Sequence, residues 1–134
     1  DLARRIAHNR TLTETYVAGL RGLPGIRVLT PDTNVESSFS ELWVEVDTMF
    51  GWPEATDLQR QLARHAIEAG VLPDPAEQVV ALGRGDSGHV GATWPNAVSL
   101  RARRLRLPLG GQIDGAAVER ICGLLATIRE VTSG

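Results

Sequence analysis

The stretch Arg104-Leu105-Arg106-Leu107-Pro108-Leu109, followed by Gly110-Gly111 and then by Asp114 to Val131, decides how this chain is read. Leu105, Leu107 and Leu109 alternate with Arg104, Arg106 and Pro108. Successive strand residues point to opposite faces, so a strand here carries leucines on one side and arginines on the other. Such a strand is half buried. Gly110-Gly111 ends it, Asp114 is placed to accept a hydrogen bond as N-cap, and Val118, Ile121, Cys122, Leu125 and Ile128 then recur at helical spacing. Burying each of the larger members of that stripe contributes about 1.5–3 kcal/mol before the entropy of ordering is charged, so the helix needs a sheet to lie on.

Upstream, Leu2, Ile6, Leu12, Tyr16 and Leu20 share one broad face of a first helix, which Gly22-Leu23-Pro24-Gly25 ends with a stop and a turn. Ile26-Arg27-Val28-Leu29 follows as a short strand. Ser40, Leu42, Val44 and Val46 alternate with Glu41, Trp43, Glu45 and Asp47, giving a second strand with one aliphatic face and one acidic face that also bears a tryptophan. Met49-Phe50-Gly51-Trp52-Pro53 is a hydrophobic loop. After it, Thr56 or Asp57 caps a helix carrying Leu58, Leu62, Ala66 and Ala69 to a stop at Gly70. Val71-Leu72 is extended until Pro73 and Pro75 interrupt it, and Val79 to Leu82 is either another short strand or irregular. Gly83 to Pro95 is loop, and Asn96 caps a brief helix through Ala97 and Leu100 that delivers the chain into Leu105. This order fits an α/β, two-layer α+β fold in a single domain over 1–134: a small, mainly antiparallel sheet of roughly three to four strands with helices packed on one face.

A length of 134 residues, 43% of them hydrophobic and 22% charged, is enough for one buried core. The net charge of −2 offers no general attraction to nucleic acid or to an anionic membrane. No apolar run reaches the length of a membrane span and the N-terminus has no signal pattern, so the expected setting is cytoplasmic. The chain opens at Asp1 inside a helical pattern and reads as a piece of a longer polypeptide. All 14 basic residues are arginines. A lysine amine is the side chain that forms a Schiff base with a carbonyl cofactor, so the chain alone cannot do that chemistry. Cys122 is the only cysteine and falls in the apolar stripe, which rules out an internal disulfide or a thiolate metal site.

Gly83-Arg84-Gly85-Asp86-Ser87-Gly88 has the letters of a dinucleotide-binding loop. That loop requires a helix to open at its last glycine, and His89-Val90-Gly91-Ala92-Thr93-Trp94-Pro95 is too rich in Gly and Pro to form one. His8, His65 and His89 share no metal-ligand spacing, so no metal site is expected. Each reads as a surface or helix-packing residue, and His89, on a glycine-rich loop, reads alternatively as an imidazole free to meet a ligand. Arg101, Arg103, Arg104 and Arg106 form the densest charge cluster, read as a solvated outer face or as an anion clamp. Arg106 projects opposite the leucines, where a guanidinium can grip a carboxylate or phosphate through two hydrogen bonds.

Taken together, Trp94-Pro95-Asn96-Ala97, Leu105-Arg106-Leu107-Pro108-Leu109, Asp114 and Val118-Glu119-Arg120-Ile121 resemble the ending of the DegT/DnrJ/EryC1/StrS sugar aminotransferases. Arg10 through Gly22-Leu23-Pro24-Gly25-Ile26 is similar to that family's linking helix and turn, Leu42 to Asp47 to its next strand, and Leu62 to Val71 to its following helix and Gly-hydrophobic pair. The resemblance implies the C-terminal small domain of a fold-type I enzyme dependent on pyridoxal 5'-phosphate. Such an enzyme is usually a homodimer acting on a small molecule, a nucleotide-linked keto sugar or a related cyclic ketone. It also implies a large cofactor-binding domain N-terminal to Asp1, which supplies the Schiff-base lysine. No catalytic residue is then expected in this chain, which by itself should be inactive and should serve to close one side of the active site.

Two features depart from the family pattern. Val71-Leu72-Pro73-Asp74-Pro75-Ala76-Glu77 keeps the prolines but lacks the His and Tyr that line the family's substrate site, and Arg106 stands where a small residue is common. In other fold-type I aminotransferases an arginine from the corresponding region grips the substrate carboxylate. By that analogy Arg106 is the foremost substrate-binding residue, with Arg104 and His89 beside it. The competing expectation is a stand-alone, non-catalytic ligand-binding or dimerisation module.

Overall fold

Helix α1, Leu2–Leu20, begins where the Asp1 carboxylate accepts a hydrogen bond from Ala3 N at 3.0 Å. The computed structural model describes residues 1–29, 41–74 and 98–133. The residues expected to form the loop Gly83 to Pro95, the possible strand Val79 to Leu82, and the cap at Asn96 lie outside them. Leu12, Tyr16 and Leu20 of α1 are buried, a narrower face than the sequence predicts, because Leu2 is 58% exposed. No residue of the first turn of α1 is buried.

After a turn, in which Gly25 takes a φ of +78°, the chain enters β1, Ile26–Val28. Strand β2, Leu42–Val46, pairs with it antiparallel, Ile26 opposite Val46 and Val28 opposite Val44. A single 3-10 turn, Thr48–Phe50, follows, with the Asp47 carboxylate accepting from Met49 N at 2.9 Å. The hydrophobic loop then divides. Trp52 is buried and its indole N–H donates to Pro24 O at 2.7 Å, whereas Met49 is 88% and Phe50 51% exposed.

Helix α2, Ala55–Ala63, starts earlier and ends sooner than the sequence predicts. Glu54 occupies the N-cap position without a side-chain hydrogen bond, and Asp57 sits inside the first turn, where its charge still favours the positive helix end. At the other end Ala66 takes a φ of 61°, Ile67 N donates to Leu62 O at 3.1 Å and Ala66 N to Ala63 O at 3.0 Å. That hydrogen-bond pair closes a helix through a left-handed residue, here an alanine where glycine is usual. Ala66 and Ala69 are therefore off the helix, and Ile67 turns into the core.

Strand β3, Gly70–Val71, and strand β4, Arg104–Leu107, complete an antiparallel sheet of order β1-β2-β4-β3. Residues 98–103, immediately before β4, are helical. Helix α3, Gly115–Ser133, buries Val118, Ile121, Cys122, Leu125 and Ile128. Asp114 caps it, accepting from Ala117 N at 2.8 Å. Helices α1 and α3 lie side by side on the face of the sheet formed by Leu42, Val44, Val46, Leu105 and Leu107, and these residues share one core with Leu58 and Leu62 of α2. Among the described residues no charged side chain is buried, and the polar ends of the buried Tyr16 and Trp52 each donate to a backbone carbonyl.

Candidate functional site

With the leucines of β4 turned toward the helices, the opposite sheet face is left uncovered by any described element. Two rows of side chains cross it. In the first, Arg27, Glu45 and Arg104 stand side by side on β1, β2 and β4. Arg27 donates through Nε and Nη2 to Glu45 Oε1 at 3.2 and 2.9 Å, and Arg104 Nε reaches Glu45 Oε2 at 3.5 Å. The Arg27 guanidinium, helped by Arg104 and Arg103, holds the Glu45 carboxyl below the usual carboxylate range against a smaller opposing effect of burial.

In the second row Trp43, Arg106 and Gly70 stand opposite one another on β2, β4 and β3. The Trp43 indole N–H donates to Glu41 Oε2 at 3.1 Å, and Glu41 Oε1 lies 4.0 Å from Arg106 Nη1. The Arg106 side chain remains 48% exposed. Beside it, between α2 and the β3 edge, is an open cleft of about 700 Å³ bordered by Gln59, Ala63, Glu68 and Arg106. Gln59 is fixed in place by donating its amide to Ala69 O at 3.1 Å.

The arginine cluster therefore separates into different tasks. Arg101 donates to Leu72 O at 3.1 Å and ties the residues after β3 to those before β4, while Arg103 donates to Ser99 O at 3.3 Å. Arg104 is engaged by Glu45. Among the described residues Arg106 has only the long contact to Glu41, which leaves most of its donors for a ligand anion. His89 lies outside the described residues. Glu41, Trp43, Gln59 and Gly70 were not singled out as site residues by sequence, because what brings them to Arg106 is strand register and helix placement. Only the alternation that puts Glu41 and Trp43 together on the outer face of β2 hints at it.

A second cleft of about 800 Å³ lies between the α2–β3 turn and the loop Pro108 to Ile113, with Arg120 at its border. Arg120 itself donates to His65 O at 3.3 Å. Among the described residues no group of three or more His, Cys, Asp or Glu is placed to hold a metal ion, and no helix is long and apolar enough to cross a membrane.

The family model of the DegT/DnrJ/EryC1/StrS aminotransferases matches residues 1–126. The chain belongs to that family. Its fold is also that of solved family-like enzymes. Spr1654 from Streptococcus pneumoniae, described as a sugar aminotransferase and solved in its PMP form, superposes with a TM-score of 0.74 at 21% identity, covering 97% of this chain and 32% of that one. The aminotransferase TlmJ from Streptoalloteichus hindustanus gives 0.73 at 24% identity, with 98% and 34% covered. DesI, solved with its TDP-sugar product, gives 0.73 at 22% identity, with 98% and 32% covered. This member of the DegT/DnrJ/EryC1/StrS family thus spans about a third of the length of the solved proteins it matches. No curated protein sequence matches it.

The described residues do not by themselves fit pyridoxal 5'-phosphate. The sequence has no lysine to bond its aldehyde.

Proposed function

We propose that this chain is the C-terminal small domain of an aminotransferase dependent on pyridoxal 5'-phosphate, and that its open sheet face closes one side of an active site built mainly by a larger domain. The observation that carries the reading is coverage: the chain matches solved aminotransferases along 97–98% of its own length but over only about a third of theirs. The lack of lysine is in keeping with it, since the large domain would supply the cofactor's attachment. The TDP-sugar product in DesI supports a nucleotide-linked keto sugar or related cyclic ketone as amino acceptor. The assembled enzyme is read as a homodimer, and the isolated chain as inactive.

Within that enzyme Arg106 binds the carboxylate of the amino donor. Among the described residues its guanidinium lies on the uncovered face, carries one long ionic contact and borders a cleft, so a carboxylate arriving there finds two parallel N–H donors. Loss of a charge-assisted pair of this kind costs about 2–5 kcal/mol when desolvated.

The test uses the full-length polypeptide that carries this chain. It should bind pyridoxal 5'-phosphate and transfer an amino group to a nucleotide-linked keto sugar, and the 134-residue chain alone should do neither. A full-length protein that binds no such cofactor sinks the proposal. Arg106→Gln should raise the KM for the amino donor far more than that for the keto substrate, whereas an equal effect on both, or none, returns Arg106 to the status of a surface residue.

A further inference from the structure

We propose that Gly70 is the positioning residue that sets where Arg106 presents its guanidinium, a role that rests on the reading of Arg106 as the donor-carboxylate site. The two residues are direct partners across β3 and β4. A β-carbon built on Gly70 would lie 2.8 Å from Arg106 Nη2, 2.9 Å from Cζ and 2.9 Å from Nε. Near-equal distances from one point to Nε, Cζ and Nη2 place that point above the guanidinium plane, beside its Nε–Nη2 edge. The guanidinium therefore lies flat across Gly70, in space that any side chain at position 70 would fill.

Trp43 is the partner of Arg106 on the other side of the same row. With an indole on one flank and a bare backbone on the other, the guanidinium leans toward β3 and the cleft bounded by Gln59, Ala63 and Glu68. Stacked on the backbone in this way, it keeps its N–H donors directed outward in its own plane. That is the approach a carboxylate needs for two parallel hydrogen bonds, and it is the geometry a lysine or a tilted arginine does not offer.

A methyl group at position 70 would take the place of the guanidinium. The displaced atoms are the far end of a flexible side chain, so the charge yields and the backbone stays. Alanine at this position should thus misplace the donor site without loosening the fold.

The experiment is a double-mutant cycle of Gly70→Ala and Arg106→Gln in the full-length polypeptide, reading KM for the amino donor, KM for the keto substrate and melting temperature in each protein. Gly70→Ala is expected to raise donor KM on the order of tenfold, because a shift of about an ångström in a binding group has effects of this size or larger. Keto-substrate KM and melting temperature should stay near wild type, and the substitution should add nothing once Arg106 is already replaced by glutamine. Donor KM unchanged in Gly70→Ala but raised in Arg106→Gln overturns the positioning role and leaves the donor-site reading standing. No change in Arg106→Gln removes that reading and the inference with it. A sharp fall in melting temperature, or an equal effect of Gly70→Ala in the Arg106→Gln background, also overturns the inference, since Gly70 would then act through the backbone.

Discussion

The Tyr16 hydroxyl donates a 2.8 Å hydrogen bond to the carbonyl of Pro108, joining the middle of α1 to the residue that follows β4. Two helical turns further toward the N-terminus, His8 Nε2 lies 3.0 Å from Gly110 O and 2.9 Å from Ile113 O. Both of those partners can only accept, so Nε2 carries the hydrogen. The loop that separates β4 from α3 is therefore hung on α1 by two side chains, and it forms one wall of the larger cleft.

Tyr16→Phe should destabilise the chain by about 1–2 kcal/mol, because the Pro108 carbonyl is left without its donor. The phenol also provides its own optical report, since Tyr16 is the only tyrosine. Burial, with a smaller contribution from Cys122, raises its pKa well above the ordinary value. A group with a raised folded-state pKa contributes stability that is full below the unfolded pKa, about 10 for tyrosine, and that is lost as pH climbs toward the folded value. Tyrosinate absorbance should thus be absent from the native protein at a pH where the denatured chain already shows it. Native ionisation near the ordinary value would mean that the hydroxyl is open to water.

Alternation made β2 and β4 legible, and with them the separation of Leu105 and Leu107 from Arg106. Every member of the stripe Val118, Ile121, Cys122, Leu125 and Ile128 is buried, because a long helix lying on a sheet has one continuous face to hide. The end of α2 was not legible, since Ala66 carries no local mark of the left-handed conformation that stops the helix. Trp52 had no periodicity to announce it and reaches the core through a turn. At the site, Arg106 could be singled out from the pattern of its own strand. Its neighbours could not, because β3 is only two residues long and nothing in so short a strand reveals that Gly70 faces Arg106.

Ala66→Gly should stabilise the chain by about 0.5–1 kcal/mol. An L-residue with a side chain pays roughly 1–2 kcal/mol in the left-handed region, and glycine escapes that while giving back part of it as extra freedom in the unfolded chain. The φ of 61° at Ala66 is the reason to choose this position. Urea denaturation with an unchanged slope and a higher midpoint is the expected result, and a lower midpoint would show that Ala66 is not held in that conformation.

Glu45→Gln should cost about 0.5–1 kcal/mol at neutral pH, the range for a cross-strand pair at a partly exposed face. Its pH dependence follows from the depressed carboxyl pKa. Stability from such a group is present above the unfolded pKa and is lost as pH falls through the lower folded value. The stability gap between the wild type and the Glu45→Gln variant should accordingly close in acid, and it should shrink in concentrated salt because the Arg27 partner is exposed. A gap that persists in acid would assign the effect to packing and not to charge.

Helices α1 and α3 come into close contact where Gly19 meets Cys122, since a β-carbon on Gly19 would lie 2.7 Å from Cys122 Sγ and 3.0 Å from its Cβ. Real carbon and sulfur atoms do not approach so closely, and Cys122 is buried in the close-packed core. Gly19→Ala should therefore push the helices apart and cost about 1–3 kcal/mol, the usual range for overpacking. Cys122→Ala removes the sulfur that the new methyl would strike, so Gly19→Ala should cost much less in that background than in the wild type. The thiol gives an independent reading of the same contact. Burial, with Glu119 adding to it, pushes the Cys122 pKa up to about 11, which makes the native thiol slow to react with an alkylating reagent at neutral pH. Gly19→Ala should speed that alkylation by loosening the seam. If the two substitutions are instead additive and the thiol reacts no faster, the helices are not in contact at this point.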